Sequence, residues 1–341
     1  MNNLLYTREA TYDSNIILID GFSGAGKVLI NDLIKASNQV EVAIYDVAFD
    51  YLPILYEFGG IDPSAATSLI KTRLDEAIYN LCISRNINCR IKDIFSIFKH
   101  PKKLYYLTLL LKKAPDDHFI ANNLTPKLNL PIWTHATSFN NDLYQKAFGA
   151  RLKTLYALRD PLFSVENQST YMKRILRTPR EYVLKYSHEG IEYPWYSRGW
   201  ESEFSQCNYT EKSIKILKNG YESLFKKINN LKIKQHVNYK IIFFEDLTIN
   251  TNIAFNEVMS YLNLGYNKNY FHKLMSRNKL PRNSLDIVDG YWIRYTEDSI
   301  SREGESANIL LNRIRNQVRE KYYEMLILLI EDYHEFKAMN S

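Results

Sequence analysis

The sequence predicts an α/β fold of three layers, in which helices flank a mainly parallel sheet. Short apolar runs typical of buried parallel strands alternate with segments whose apolar residues recur at helical spacing. Such alternation is characteristic of strand–helix–strand units. The chain has 341 residues, 45% of them hydrophobic, which is enough for one large core, and no internal repeat or low-complexity linker divides it. We therefore expect a single domain over residues 1–341.

Each element of this fold has its own signal. Continuous apolar runs predict strands at 16–19, 40–45, 130–134, 152–158 and 240–244. Helical spacing predicts helices at 28–34, 139–148, from 161 onward, at 211–231, at 252–262 and at 309–336, the last within a C-terminal helix of about 305–338. Two insertions are expected. One, about 49–118, is mainly helical with two or three helices from 64 to 113, and the other, about 178–207, is aromatic-rich and irregular.

A glycine-rich loop lies between the first predicted strand and helix. Gly21 to Lys27 fits the pattern G-x-x-x-x-G-K in its required strand–loop–helix context. Glycines let backbone N–H groups turn toward a phosphate, the helix N-terminus adds positive potential, and Lys27 adds a full charge. Val28 follows where loops that bind a magnesium triphosphate have Ser or Thr. The loop predicts a P-loop NTPase-like phosphate site without a metal, the alternative being a turn with no ligand.

Two polar side chains follow other predicted strands. Arg159 comes after the strand 152–158, and His135 comes just past the strand 130–134. The carboxyl ends of parallel strands share one edge of a sheet, where such sheets bind ligands. A guanidinium at this edge suits a phosphate, and an imidazole suits proton transfer near neutral pH. The alternatives are a salt bridge for Arg159 and a structural role for His135.

Composition argues against several classes of protein. The net charge of +6 suits an anionic ligand, and without a long Lys/Arg block nucleic acid is not expected. Cys82, Cys89 and Cys207 form no C-x-x-C pair, which indicates neither zinc nor a redox pair and favours a reducing compartment. The first residues lack an apolar signal core, and the apolar runs are too short to span a bilayer. We therefore expect a cytoplasmic protein with no membrane span.

The chain resembles the sulfotransferase family that uses 3′-phosphoadenosine 5′-phosphosulfate (PAPS). Four landmarks carry the resemblance, in order from residue 16 to about 264: the strand–loop–helix, Trp133-Thr134-His135, Arg159-Asp160-Pro161, and Phe244-Glu245-Asp246-Leu247 with the helix that follows. The chain also departs from the family pattern. Gly24 stands where the family loop has a lysine, with Lys27 and Val28 in place of a Thr-Thr pair, and Asn167 stands where a serine usually assists the arginine.

The resemblance implies a donor, a nucleotide site and a base. PAPS would be the cosubstrate, with its 5′-phosphosulfate held by Ser23, Gly24, Ala25, Gly26, Lys27 and Val28. Arg159 and Asn167 would hold the 3′-phosphate, and Lys27 would neutralise the leaving phosphate oxygen. His135 would be the catalytic base.

Other residues compete for some of these roles. Glu41 is an alternative base, because some carbohydrate-acting members use a glutamate on the second strand, and Asp46 is a third choice. For the family's C-terminal phosphate motif, which is not evident, the candidates are Arg282, Arg294 and Arg302.

The expected acceptor is a hydroxyl or an amine, and we favour a carbohydrate. Sugar stacking would suit the aromatic insertion, with Trp195, Tyr196, Arg198 and Trp200 as candidates. A small alcohol, a lipid head group or a peptide tyrosine are alternatives. So are a P-loop kinase for a small molecule or nucleotide, with Glu245-Asp246 as its acidic pair, and a non-catalytic nucleotide-binding assembly protein that forms a homodimer through its final helix.

Overall fold

The fold is built on a parallel sheet, seen in a computed structural model that describes residues 5–112, 128–176, 178–179, 181–233, 238–282 and 307–340. The strands are β1 (Asn15–Asp20), β2 (Asn129–Trp133), β3 (Leu152–Leu158), β4 (Lys185–His188), β5 (Ile191–Pro194) and β6 (Tyr239–Phe243). Four of them form the central sheet in the order β2-β1-β3-β6, and every pair in it is parallel. The other two, β4 and β5, form an antiparallel hairpin.

Helices occupy most of the remaining described chain. They are α1 (Lys27–Ile34), α2 (Val47–Glu57), α3 (Pro63–Cys82), α4 (Lys103–Leu111), α5 (Leu143–Phe148), α6 (Pro161–Ile175), α7 (Glu201–Gln206), α8 (Tyr209–Ile233), α9 (Phe244–Ile249), α10 (Thr251–Leu262), α11 (Lys268–Arg277), α12 (Ala307–Arg315) and α13 (Glu320–Ala338). Among the residues described, no helix is both long enough and apolar enough to cross a membrane.

Helices cover both faces of the sheet, which confirms the predicted three-layer α/β class. Successive side chains of a strand point to opposite faces. Accordingly, Ile17 and Ile19 of β1 join a core with α1, α10 and α11, whereas Ile16 and Leu18 join a core with α3 and α5. Further along that second face, Tyr156 and other β3 residues pack on α6, α8 and α13. The strands are continuous apolar runs because both faces are buried.

The register places the carboxyl ends of the strands at one edge. Ile19 is level with Trp133 of β2, and Asp20 is level with Tyr156 of β3. Leu158 at the end of β3 is level with Phe243 at the end of β6. The segments that follow these strands therefore lie along one line of the sheet.

The predicted strand at 40–45 is wrong as a continuous strand. Val40 and Ile44 make isolated parallel bridges to β2, and the segment between them does not form a ladder. The carbonyl oxygen of Pro131 in β2 accepts the N–H of Ile44 at 2.8 Å. Proline itself has no N–H, so it cannot donate a hydrogen bond to the 40–45 segment. The proline therefore interrupts the ladder along the outer side of β2, the first strand in the order of the sheet.

Other corrections concern the helices. The helix expected at 139–148 is present over 143–148 alone, and the final helix is two helices, α12 and α13. Arg319 between the latter is extended, because its backbone N–H and its guanidinium both donate to buried Glu211. The insertion at 178–207 contains the β4–β5 hairpin and α7, so it is not irregular throughout. Helices α2 and α11 were not predicted.

Candidate functional site

The glycine-rich loop has a backbone that only glycine readily adopts. Gly24 and Gly26 have φ of 81° and 95°, in the left-handed region. A Cβ atom on Gly26 would also lie 2.6 Å from the ring of Phe244, which follows β6. Helix α1 then begins at Lys27, and no side chain caps it. The first N–H groups of α1 lack a side-chain acceptor, which is the arrangement that suits an anion.

Lys27 lies beneath this loop and is only 5% exposed. Its Nζ donates to the carbonyl oxygens of Gly21 at 2.5 Å and Thr134 at 2.6 Å. Burial lowers the pKa of this amine to about 8, although the carboxylates of Asp20 and Asp50 oppose the shift. Lys27 thus links the loop after β1 to the segment after β2.

Asp20, the last residue of β1, bonds to both the loop after β1 and the segment after β2. Its Oδ1 accepts the N–H of Gly21 at 2.9 Å. Its Oδ2 accepts the N–H of Ser138 at 2.9 Å and also the Ser138 hydroxyl. One buried carboxylate therefore determines where the phosphate loop starts and how the chain leaves β2.

Arg159 and Asn167 reach the same loop from β3 and α6. Arg159 is 2% exposed, and its Nη1 donates to the carbonyl oxygen of Gly24 at 3.3 Å. Its guanidinium lies 4.4 Å from the ring centroid of Phe244, and burial lowers its pKa to about 10 against the opposing charge of Glu245. Asn167 packs on Gly24, since a Cβ there would be 3.0 Å from the asparagine Nδ2. The structure therefore brings together the predicted donor-site residues.

Arg282 lies beside this group. Its guanidinium is 5.9 Å from the centroid of the Phe244 ring, on which Arg159 also packs. The positive charge of Arg282 contributes to the lowered pKa of Arg159. The other two C-terminal candidates, Arg294 and Arg302, lie outside the described residues.

His135 directly follows Thr134, whose carbonyl oxygen accepts a hydrogen bond from Lys27. Its backbone N–H donates to Asp50 Oδ1 at 2.9 Å, and its Nδ1 is 3.0 Å from Asp50 Oδ2. The imidazole lies edge-on to the ring of Tyr45, with 5.5 Å between ring centroids, and stacks on the ring of Tyr171, with 6.4 Å between centroids. With a third of its side chain exposed (33%), the imidazole is accessible to a substrate.

Glu41 does not join this group. Its backbone N–H donates to the carbonyl oxygen of Asn129, at the amino end of β2, whereas His135 follows the carboxyl end. Four residues of strand separate the two ends, which is about 13 Å. The Glu41 carboxylate is buried between Lys102 Nζ, at 2.5 Å, and the hydroxyl of Tyr106. In these contacts the Glu41 carboxylate stabilises the fold.

Asp46, the third candidate base, is used in the fold. Its side chain accepts the N–H of Ala48 at 2.8 Å and so caps α2, and it pairs with Arg73. The capped helix places Asp50 in its first turn, against His135. Asp46 therefore contributes by setting the start of α2.

The two insertions meet above His135. The Tyr51 hydroxyl of α2 donates to the carbonyl oxygen of Tyr182, and the Arg198 guanidinium lies 4.1 Å from the ring centroid of Phe58. Of the residues predicted to stack on a sugar, Trp200 is buried and donates its Nε1–H to Tyr196 O, so it belongs to the core. Trp195 and Tyr196 are half-buried and contact each other edge-on.

The acidic pair that a kinase would need is engaged elsewhere. Glu245 accepts the backbone N–H of Asp160 at 2.8 Å and the hydroxyl of Tyr333 at 2.8 Å. Asp246 pairs with Lys337 at 2.7 Å. Val28 offers no oxygen to a metal, and the described part of the chain contains no cluster of three His, Cys, Asp or Glu that could hold one.

Sequence reasoning missed Asp50, Tyr45 and Tyr171. Asp50 follows the predicted second strand within a helix that was not predicted, and nothing in its spacing to His135 indicates contact. The one available signal is an acid in the first turn of a helix that begins after a strand.

Comparisons with known proteins give little further support. No family model and no curated protein matches the chain. Among solved structures, the chain is similar to the sulfotransferase domain from the Synechococcus PCC 7002 olefin synthase, with a TM-score of 0.40 and 9% sequence identity over 96% of this chain and 98% of that one.

Proposed function

We propose that this protein is a sulfotransferase that moves a sulfuryl group from PAPS to a hydroxyl or amine acceptor. One observation carries the proposal. A phosphate loop and a buried arginine fork meet at Gly24, while the lysine of the loop is bonded to the residue before an accessible, carboxylate-paired His135. The cationic groups suit a doubly phosphorylated nucleotide, and the imidazole suits proton removal from an acceptor.

The proposed reaction is one in-line displacement at sulfur. The acceptor oxygen forms a bond to sulfur as the bond between sulfur and the 5′-phosphate oxygen breaks. The acceptor proton passes to His135, and the leaving oxygen gains charge that Lys27 and the N-terminus of α1 stabilise. The products are the sulfated acceptor and adenosine 3′,5′-bisphosphate, and the imidazolium returns its proton to water. By analogy with phosphoryl transfer, positioning and charge stabilisation would supply most of the catalysis.

For the acceptor we propose a carbohydrate. The rings of Tyr45 and Tyr171 beside His135 offer flat faces for a sugar, and burial raises the pKa of both phenols, that of Tyr171 to about 12. Both hydroxyls therefore stay protonated at neutral pH: that of Tyr171 can donate to a sugar oxygen, and the oxygen of Tyr45, whose proton is donated to Asp50, can accept from a sugar hydroxyl. A panel of neutral sugars, acidic glycans, phenols and amines with radiolabelled PAPS tests this step, and transfer to phenols but to no sugar would contradict it.

The donor is tested by thermal stability with two nucleotides. Adenosine 3′,5′-bisphosphate without metal is expected to stabilise the protein by about 2.7 kcal/mol at ~100 times its dissociation constant. The same experiment with ATP and magnesium is the comparison. Stabilisation by magnesium-ATP alone would overturn the proposal in favour of a kinase, and no shift with either nucleotide would favour the non-catalytic alternative.

Proton uptake should accompany nucleotide binding at Lys27. In the free protein the pKa of this amine is about 8, so at pH 8 about half of the molecules lack its proton. The added phosphates raise the pKa, and about half a proton should be taken up per nucleotide bound. Titration calorimetry at pH 8 in buffers of different ionisation enthalpy measures this uptake. Equal uptake by Lys27→Met would contradict the assignment.

Glu41 offers a test of the competing base. In Glu41→Gln, Lys102 and Tyr106 lose a charged partner, so the free energy of unfolding should fall by about 1–3 kcal/mol. The rate of sulfuryl transfer to water, measured as release of the bisphosphate from PAPS, should stay within about twofold of the wild-type rate. Glu41 lies at the amino end of β2, whereas His135 follows its carboxyl end. A large rate loss in the folded variant would restore Glu41 as the base.

A further inference from the structure

We propose that Asp50 is the positioning residue of this site: it holds His135 in the tautomer that carries its proton on Nδ1, so that Nε2 is the atom that receives the acceptor's proton. The expected effect on rate rests on the proposed function. The tautomer does not, because it is a property of the free protein.

The argument begins with the two oxygens of the carboxylate. Oδ1 accepts the backbone N–H of His135 at 2.9 Å, and Oδ2 lies 3.0 Å from Nδ1 of the same residue. A carboxylate has no proton to donate, so the nitrogen that faces it must be the donor. In a neutral imidazole the other nitrogen then has the free lone pair. Asp50 therefore fixes both the place of the His135 backbone and the proton on its ring.

The surroundings make this arrangement rigid. Asp50 is 4% exposed and lies in the first turn of α2, where the helix dipole favours an acid. A buried carboxylate is costly without donors, and besides His135 it receives the hydroxyl of Tyr45. The rings of Tyr45 and Tyr171 contact the imidazole from two sides. The ring of His135 is thus held by one hydrogen-bond partner and two aromatic neighbours.

Other titratable groups also sense the charge of Asp50. They are Lys27 from the phosphate loop, Tyr45 before α2, Tyr51 of α2, Tyr144 of α5 and Tyr171 of α6. Burial, with the Asp50 charge, raises the pKa of all four phenols. They therefore stay protonated at neutral pH and cannot replace His135 as the base.

Asp50→Asn separates the position of the carboxylate from its charge. The amide oxygen can still accept the backbone N–H of His135, but its NH2 group then faces Nδ1. That nitrogen must become an acceptor, and the ring proton moves to Nε2, where it blocks the base. We expect the rate of sulfuryl transfer to fall by about 10²–10⁴-fold, while the dissociation constant for adenosine 3′,5′-bisphosphate stays within about twofold.

The test combines that rate with proton–nitrogen correlation spectra of protein labelled at its seven histidines. A His135→Asn spectrum assigns the His135 signals. Asp46→Asn is the matched control: Asp46 caps α2, the helix that carries Asp50, Asn also caps a helix, and the Asp46 carboxylate pairs with Arg73 of α3 and not with His135. The wild-type and control spectra should show Nε2 without a proton, and Asp50→Asn should show it protonated.

Three results would overturn the inference: a wild-type ring with its proton on Nε2, an unchanged tautomer in Asp50→Asn, or an unchanged rate in that variant. If Asp50→Asn does not fold, the wild-type spectrum alone decides. If wild-type protein transfers no sulfuryl group, the proposed function fails, and the tautomer shift still decides the role of Asp50.

Discussion

Replacing His135 by asparagine should lower the rate of sulfuryl transfer by about 10²–10⁴-fold, the usual contribution of a general base. Asparagine is the sharpest choice because its side-chain NH2 lies near the position of Nδ1 and can still donate to Asp50. The hydrogen bond to Asp50 is kept, and Nε2, the atom that would take the acceptor's proton, is removed. Release of bisphosphate from radiolabelled PAPS, with water or a phenol as acceptor, measures the rate.

Nucleotide binding separates this effect from misfolding. His135 contacts neither the phosphate loop nor Arg159 in the hydrogen bonds described here, so the affinity for adenosine 3′,5′-bisphosphate should be unchanged. His272→Asn, an exposed histidine of α11, is the control variant and should keep the full rate. Undiminished transfer by His135→Asn would remove the imidazole from the mechanism.

Replacing Arg159 by methionine should weaken the binding of adenosine 3′,5′-bisphosphate by about 100-fold. A guanidinium fork makes charge-assisted bonds to a phosphate, and losing such a pair costs about 3 kcal/mol, with each 1.4 kcal/mol worth a factor of ten. Methionine is an apolar side chain that adapts to irregular core space, and its thioether can contact the Phe244 ring on which the guanidinium packs, so the variant should fold. Titration calorimetry measures the affinity, and Arg159→Lys should recover only part of it, because lysine keeps the charge without the fork.

A second arginine tests whether the effect is local. Arg198→Ala removes the same charge from an exposed position above Phe58 and should leave bisphosphate affinity within about twofold. If Arg198→Ala weakened binding as much as Arg159→Met, the loss would reflect net charge. The 3′-phosphate would then have no assigned site at the end of β3.

Much of the sheet and part of the site could be predicted from the sequence. The strands β1, β2, β3 and β6 are apolar because helices bury both of their faces, and burial of this kind leaves a continuous signal. Parallel strands then place the residues that follow them at one edge, which is why His135 and Arg159 could be assigned to the edge of the phosphate loop. The sequence alone left Glu41 as an alternative base, and its place at the amino end of β2 came from the structure.

The remainder depends on contacts between distant segments. Asp50 meets His135 across 85 positions of sequence, and a single sequence carries no record of that contact. The break between α12 and α13 has a similar cause, because Arg319 turns to a carboxylate on α8 while the apolar periodicity continues across it. Pro131 was visible in the sequence, but its effect on the 40–45 segment requires knowing which side of β2 that segment occupies.

The contact between Gly24 and Asn167 makes the two positions depend on each other. These are two of the positions at which the chain departs from the sulfotransferase pattern, and they touch: a Cβ on Gly24 would lie 3.0 Å from Asn167, at a backbone φ of 81°. A single Gly24→Lys substitution would therefore meet both a clash and backbone strain. A smaller residue at 167 removes the clash alone. The effects of substitutions at the two positions should therefore be non-additive, and Gly24→Lys should cost less free energy of unfolding beside a smaller residue at 167.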